Sequence, residues 1–290
     1  AELLRRTEDD LSTYIEKVIP IIDSVKHNGD AALVKFAKQL DGADITASDI
    51  AASEQDFAAA YDQLDPDFID VLRYSADNIR RFHEKQMPDS SWEMEIKPGA
   101  VVGERVTPID SVACYSPRGK GSFPSVTLMS LIPAVVAGVP EIVLLTPPGP
   151  DGKIDPAALV AADISGVRRA FKVGGAQAVA AVAYGTETVP KCIKIEGPGS
   201  PWLAAAKIVL GNRIDPGMPA GPSESIVFAD ETANATIAAL DTIIESEHGD
   251  DSSVFLVTTS SDIAAAARAA IPEFWDTMSA ERVGYSSSVL

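Results

Sequence analysis

The chain is poor in the residues from which most metal and nucleophile sites are built. Its 290 residues include three histidines and two cysteines. Cys114 and Cys192 cannot make a framework of cross-links, which fits a reducing cytoplasm. Neither has a histidine near it in sequence, so both read as buried structural thiols. Positive charge is also scarce: 24 Lys and Arg face 42 Asp and Glu, a formal net charge of −18. That balance argues against nucleic acid or an anionic membrane as a partner. The longest apolar stretch, "LIPAVVAGVPEIVLL", is broken by two prolines and a glutamate and does not read as a membrane span. No secretory pattern opens the chain, and its first residue is alanine, so residues are expected to precede it. There is no Gly-x-Gly-x-x-Gly dinucleotide fingerprint and no Gly-x-Ser-x-Gly elbow.

What is present is an α/β pattern. Residues 1 to about 90 carry apolar positions three and four apart, with Asn-Gly and Asp-Gly stops and an Asp65-Pro66 helix start. His27 beside a turn and His83 near a helix end are unremarkable placements. From "WEMEIKPGAVVGERVTPIDSVACYSP" the pattern turns to short strands around a Pro-Gly turn. Then "TLMSLIPAVVAGV", "EIVLLTPP", "DPAALVAADISG", "RAFKVGG", "AQAVAAVAYGT" and "CIKIEGPGS" alternate helix with strand. Such alternation predicts a mainly parallel sheet covered on both faces. A second series begins at "SIVFAD", and "ERVGYSSSVL" stops where its closing strand would start. The chain therefore reads as a fragment, or as one that borrows closing elements from a partner.

Three loops follow strands at their carboxyl ends: "YSPRGKGSFPS" with Arg118 and Lys120, "KVGGAQ" and "IEGPGSPW". Together they suit an anionic small-molecule site at a switch in strand order. "ESEHG" places Glu245 and His248 three residues apart on a helix, able to approach one ion together. On spacing alone this is either half of a metal site or the solvated end of a helix. "AGPSES" reads as a turn before a strand.

"CYSPRGKGSFPSVTLMSLIPAVVAGVPEIVLLTPP", "KVGGAQAVAAVAYGTETVPK", "GPGSPW", "AGPSES" and "ESEHG" follow one another with the order and spacing of the histidinol dehydrogenase family, from about residue 10 onward. The resemblance implies two Rossmann-like lobes of the aldehyde-dehydrogenase type, with a helical amino-terminal segment, the second lobe being incomplete. Its implied divisions are residues 1–95, packing on the second lobe, a first lobe at 96–222 and the start of a second at 223–290. It also implies NAD, Zn2+ and an intertwined homodimer that oxidises an amino alcohol, L-histidinol, through the aldehyde to the acid. Carried over by position, NAD contacts fall on Tyr115, Gln177 and Ser200, and a substrate contact on Ser223. Glu245 and His248 take positions that hold zinc and, through it, substrate. The family's catalytic Glu-His pair lies beyond Leu290, so no catalytic residue is expected within this chain.

Three departures from the family pattern stand out. Arg118 replaces a glycine, Ser200 an asparagine and Glu245 a glutamine. They leave room for another small polyol or amino alcohol, such as sulfopropanediol, as substrate. The absent catalytic pair also leaves room for a non-catalytic binding protein.

Overall fold

The computed structural model describes residues 11–118, 121–218, 224–248 and 252–290. They fall into two units, one within residues 10–220 and one within residues 221–290.

The first unit begins with three helices. Helix α1 (Ser12–Phe36) is interrupted at Gly29, where φ is 49° and ψ −131°. Glycine tolerates that backbone, which a Cβ would strain. The expected Asn-Gly stop is thus a break between two helical stretches. Helix α2 (Glu54–Tyr61) opens with a reciprocal cap: the Asp56 amide donates to the Ser53 hydroxyl, and the Ser53 amide donates to the Asp56 carboxylate. Helix α3 (Pro66–Gln86) starts as the Asp-Pro pair predicts, with Asp65 accepting from the Asp67 amide. Strands β1 (Ser91–Lys97) and β2 (Ala100–Arg105) form an antiparallel ribbon in which Met94 pairs with Val102 and Trp92 with Glu104. Its apolar side chains are exposed.

The following residues form four βα units: β3 (Ser111–Tyr115), α4 (Pro124–Val136), β4 (Glu141–Thr146), α5 (Pro156–Ser165), β5 (Ala170–Lys172), α6 (Gly175–Tyr184), β6 (Lys194–Glu196) and α7 (Pro201–Leu210). The sheet is parallel in the order β5-β4-β3-β6. The chain steps outward from β3 to β5 and then crosses back to place β6 on the other side of β3. Side chains alternate between two cores, as period-two geometry requires. Val112, Cys114, Leu144 and Ala170 pack with α3, α4 and α5, while Ala113, Val143, Leu145, Phe171 and Ile195 pack with α1, α6 and α7.

The amino-terminal helices pack within the first unit. Helix α1 lies against α6 and α7, and α3 against α4 and α5, so both cover the first lobe. Apolar periodicity shows that a helix has a face to bury, but not which neighbour receives it. A side-chain clasp fixes α1. The buried Asp30 carboxylate accepts from the Thr186 hydroxyl at 2.6 Å, the Thr188 hydroxyl at 2.5 Å and the Thr188 amide at 3.3 Å. Glu187 accepts from the Asp30 amide at 2.8 Å.

The second unit contains β7 (Glu224–Ala229), α8 (Ala235–Ser246), β8 (Ser253–Thr258), α9 (Ser261–Trp275) and α10 (Ala280–Val289). Strands β7 and β8 are parallel, with Ile226 opposite Phe255 and Phe228 opposite Val257. These four side chains are exposed, although parallel sheets are ordinarily covered on both faces. "ERVGYSSSV" falls in helix α10. Ser279 caps it through the Arg282 amide. Inside, Ser286 Oγ lies 2.7 Å from Ser246 Oγ and accepts from Trp275 Nε1 at 2.8 Å. Among the described residues, no helix is long and apolar enough to cross a membrane.

Candidate functional site

A reversal of direction in a parallel sheet opens a crevice outside the carboxyl ends of the two strands that flank it. Here those strands are β3 and β6. Tyr115 ends β3, and Gly197-Pro198-Gly199-Ser200 follows β6.

The two strand ends approach so closely that residue 197 must be glycine. Its φ is 116°, and a Cβ there would overlap the Tyr115 carbonyl oxygen, with the Tyr115 carbonyl carbon and amide nitrogen 3.1 Å away. Tyr115 is nearly buried and reaches across to the Gly174-Gly175 turn after β5, where its Oη accepts from the Gly175 amide at 3.1 Å. Burial pushes its phenol up to about 12; the Gly175 hydrogen bond opposes this and the charge of Asp41 adds to it. The phenol is therefore a neutral positioning group at physiological pH. Gln177, also buried, turns its Oε1 to within 3.1 Å of the Cβ position of Gly175. Tyr115 and Gln177 thus converge on one glycine. Ser200 is the residue before α7 and is exposed, and its hydroxyl makes no capping hydrogen bond. It stands between the carboxyl end of β6 and the start of α7.

Arg118 lies against the loop after β4, where its Nη1 donates to the Lys153 carbonyl at 2.7 Å beside Gly149. Lys120 and Ser223 lie outside the described residues. Burial pushes the Cys114 thiol up to about 12 and that of Cys192 to about 11. Thiolates are the reactive form, so neither is a nucleophile at neutral pH. His27 keeps its Nδ1 2.7 Å from the Asp23 carbonyl, and His83 meets Phe82 edge to face.

Lys207 was not singled out from the sequence. It sits in the apolar helix α7, nearly buried, and its Nζ donates to the Gly197 carbonyl at 2.9 Å. Desolvation lowers its pKa, against the opposing charge of Glu196. A single lysine inside "PWLAAAKIVL" was the available signal. Replacing it with methionine keeps the apolar stem but leaves the carbonyl unpaired, at a cost of about 1–3 kcal/mol. Lys207→Met is expected to lower the melting temperature by several degrees and to speed hydrogen exchange across residues 197–200. Unchanged exchange there rejects this clamp.

In the second unit, Glu245 lies in the last turn of α8 and His248 just past its end, with the His248 amide bonded to the Glu245 carbonyl at 3.2 Å. His248 is exposed and Glu245 half-buried, while Glu247 between them pairs with Arg282 at 3.5 Å. One imidazole and one carboxylate are suitable zinc donors, but they supply half of a tetrahedral set. Among the described residues, no group of three or more His, Cys, Asp and Glu is placed to hold a metal ion.

A profile of the family described as Histidinol dehydrogenase matches residues 4–288. The chain belongs to the histidinol dehydrogenase family. It is 54% identical to "Histidinol dehydrogenase homolog 2" of Mesorhizobium japonicum over all of its own length and 66% of that protein's. It is 44% identical to "Histidinol dehydrogenase" of Synechocystis sp., covering 96% of this chain and 64% of the relative. A crystal structure of histidinol dehydrogenase from Elizabethkingia anophelis superposes with a TM-score of 0.88 at 34% identity, covering 99% of this chain and 66% of that one. The chain thus spans about two thirds of the length of these family members.

Proposed function

We propose that the protein to which this chain belongs is a cytoplasmic, homodimeric, NAD-dependent and zinc-requiring dehydrogenase that oxidises L-histidinol through the aldehyde to L-histidine. The observation that carries this reading is the meeting of Tyr115, Gln177 and the Gly197–Ser200 loop at the strand-order switch of a family whose members bear that enzyme's name. When bound, NAD accepts the hydride and zinc fixes the position of the alcohol. The residues of this chain have supporting tasks. Tyr115 and Gln177 set the floor of the nucleotide crevice, and Ser200 offers a hydroxyl at its rim. Glu245 and His248 supply two donors to the metal. Ser223 is proposed as a contact to the substrate.

A second reading keeps the chemistry and changes the alcohol. Glu245 puts a carboxylate where the family pattern has a neutral glutamine, and Arg118 adds a charge beside a cofactor-side loop. Relatives at 54–55% identity are named homologs, whereas those at 42–44% carry the plain enzyme name. These observations favour another small polyol or amino alcohol, such as sulfopropanediol.

The deciding experiment measures NADH formation by the full-length protein on histidinol, sulfopropanediol and simple diols, with zinc content read from the same samples. Histidinol as the best substrate supports the first reading, and a polyol the second. No reduction of NAD with any alcohol rejects both. His248→Ala is expected to weaken zinc binding by at least about 100-fold, the upper end of the loss caused by removing a mere supporting residue. Undiminished zinc in that variant rejects its role as a ligand.

A further inference from the structure

Arg118 follows the end of β3, and its guanidinium lies on the loop that follows β4. The two strands run side by side to their carboxyl ends: Tyr115 pairs with Leu145, and the Ser116 amide donates to the Leu145 carbonyl at 2.9 Å. Just beyond them, residues 149–153 close a tight turn. The Gly149 amide donates to the Lys153 carbonyl and the Gly152 amide to the Gly149 carbonyl, both at 2.8 Å. Arg118 Nη1 donates to that same Lys153 carbonyl at 2.7 Å. Gly149 makes the approach possible, because a Cβ there would fall 2.5 Å from each Nη nitrogen. The half-buried guanidinium is thus held against backbone at the carboxyl end of β4, by a bond that uses one of its five N–H donors.

Counted from the switch, β3 is the first strand of this sheet and β4, its neighbour on the β5 side, is the second. In nucleotide-binding sheets of this order, a carboxylate at the end of the second strand accepts from the ribose 2′-hydroxyl of NAD, whereas an arginine nearby accommodates the 2′-phosphate of NADP. Strand β4 runs into Thr146-Pro147-Pro148-Gly149, which has no carboxylate. The next acids along the chain face backbone amides: Asp151 accepts from Lys153 at 3.1 Å and Asp155 from Ala157 at 2.8 Å. We propose that Arg118 is a specificity-determining residue of the crevice: it pairs with the 2′-phosphate of the adenosine ribose, so that the protein takes NADP as well as NAD. This rests on the reading of the crevice as a dinucleotide site and widens the cofactor class. A guanidinium presents parallel donors that match phosphate oxygens, and such charge-assisted bonds are about twice as strong as neutral ones. The clamp on the Lys153 carbonyl also orders the side chain before the nucleotide arrives, which lowers the entropy cost of binding.

An arginine that only fastens two loops together predicts a different outcome. The full-length protein, Arg118→Gly and Gly149→Ala are titrated with NAD and with NADP at one ionic strength, and their melting temperatures are measured without nucleotide. Wild type is expected to bind NADP at least as tightly as NAD. Arg118→Gly should weaken NADP relative to NAD by about 10- to 100-fold, the scale of one charge-assisted hydrogen bond. Gly149→Ala keeps the arginine but displaces its guanidinium, and should shift the same ratio in the same direction. An unchanged ratio in either variant overturns the proposal, whatever the melting temperatures, because a loop fastener alters stability without reading a phosphate. Wild-type protein that binds NAD and not NADP overturns it while leaving the crevice reading intact. Binding of neither nucleotide overturns both.

Discussion

Gly197→Ala is expected to destabilise the 10–220 unit by about 3 kcal/mol or more and to remove measurable NAD binding. Two independent costs add. A φ of 116° is open to glycine and strained for any L-residue, at roughly 1–3 kcal/mol. The added methyl also has nowhere to go, because it points at the backbone of Tyr115 rather than at the end of a flexible side chain. Overpacking of that kind costs roughly another 1–3 kcal/mol. Relief requires β3 and β6 to part at their carboxyl ends, which would move both the Tyr115 phenol and the Lys207-held loop. For a unit of this size, about 3 kcal/mol lowers the melting temperature by roughly 6–12 °C. Gly211→Ala is the matched control. Its φ is −60° and the nearest atoms to a new Cβ are 3.4 Å away, so it should melt and bind as wild type. A Gly197→Ala protein with wild-type melting and nucleotide affinity would mean that the strand ends separate freely, and the crevice would not be the rigid floor described above.

The order of elements was legible in the sequence because local signals set it. Asp65-Pro66 and Asp155-Pro156 each place a capping carboxylate before a proline at the first helical turn, and both helices start there. The glycine loops were legible for the same reason, as was the parallel sheet. Partners across the fold were not. In "ERVGYSSSVL", Ser286 finds Ser246 and Trp275 across the second unit. Lys207 read only as one charge in an apolar helix. Its interest lies in burial and in what faces it, which spacing along the chain does not encode. Tyr115 and Gln177 were placed by resemblance, and in the fold both close on Gly175. Glu245 lies in the last turn of α8 and His248 just past its end.

Asp30→Ala is expected to cost about 3–4 kcal/mol and to detach α1 from the loop that follows α6. The carboxylate is nearly buried and receives three donors, two hydroxyls and an amide, all from residues 186–188. Hydrogen bonds to a charged acceptor contribute about 1.5–3 kcal/mol each when cut singly, and donors left unpaired add their own desolvation cost. The three share one acceptor, so their losses do not add in full. At the other end of the clasp, Glu187 accepts from the Asp30 amide, and Gly29 allows the chain to turn there. Loss of the carboxylate therefore loosens the junction between the two stretches of α1. The effect should reach the site, because α1 also packs on α6 and α7, the helices that carry Gln177 and follow Ser200. The expected observation is a melting temperature lower by roughly 6–15 °C, together with faster hydrogen exchange in residues 30–36 and 186–189. Asp30→Asn, which keeps one acceptor oxygen, should fall between wild type and alanine. If alanine and asparagine lose equally little, the clasp contributes no stability and α1 is held by its apolar face alone.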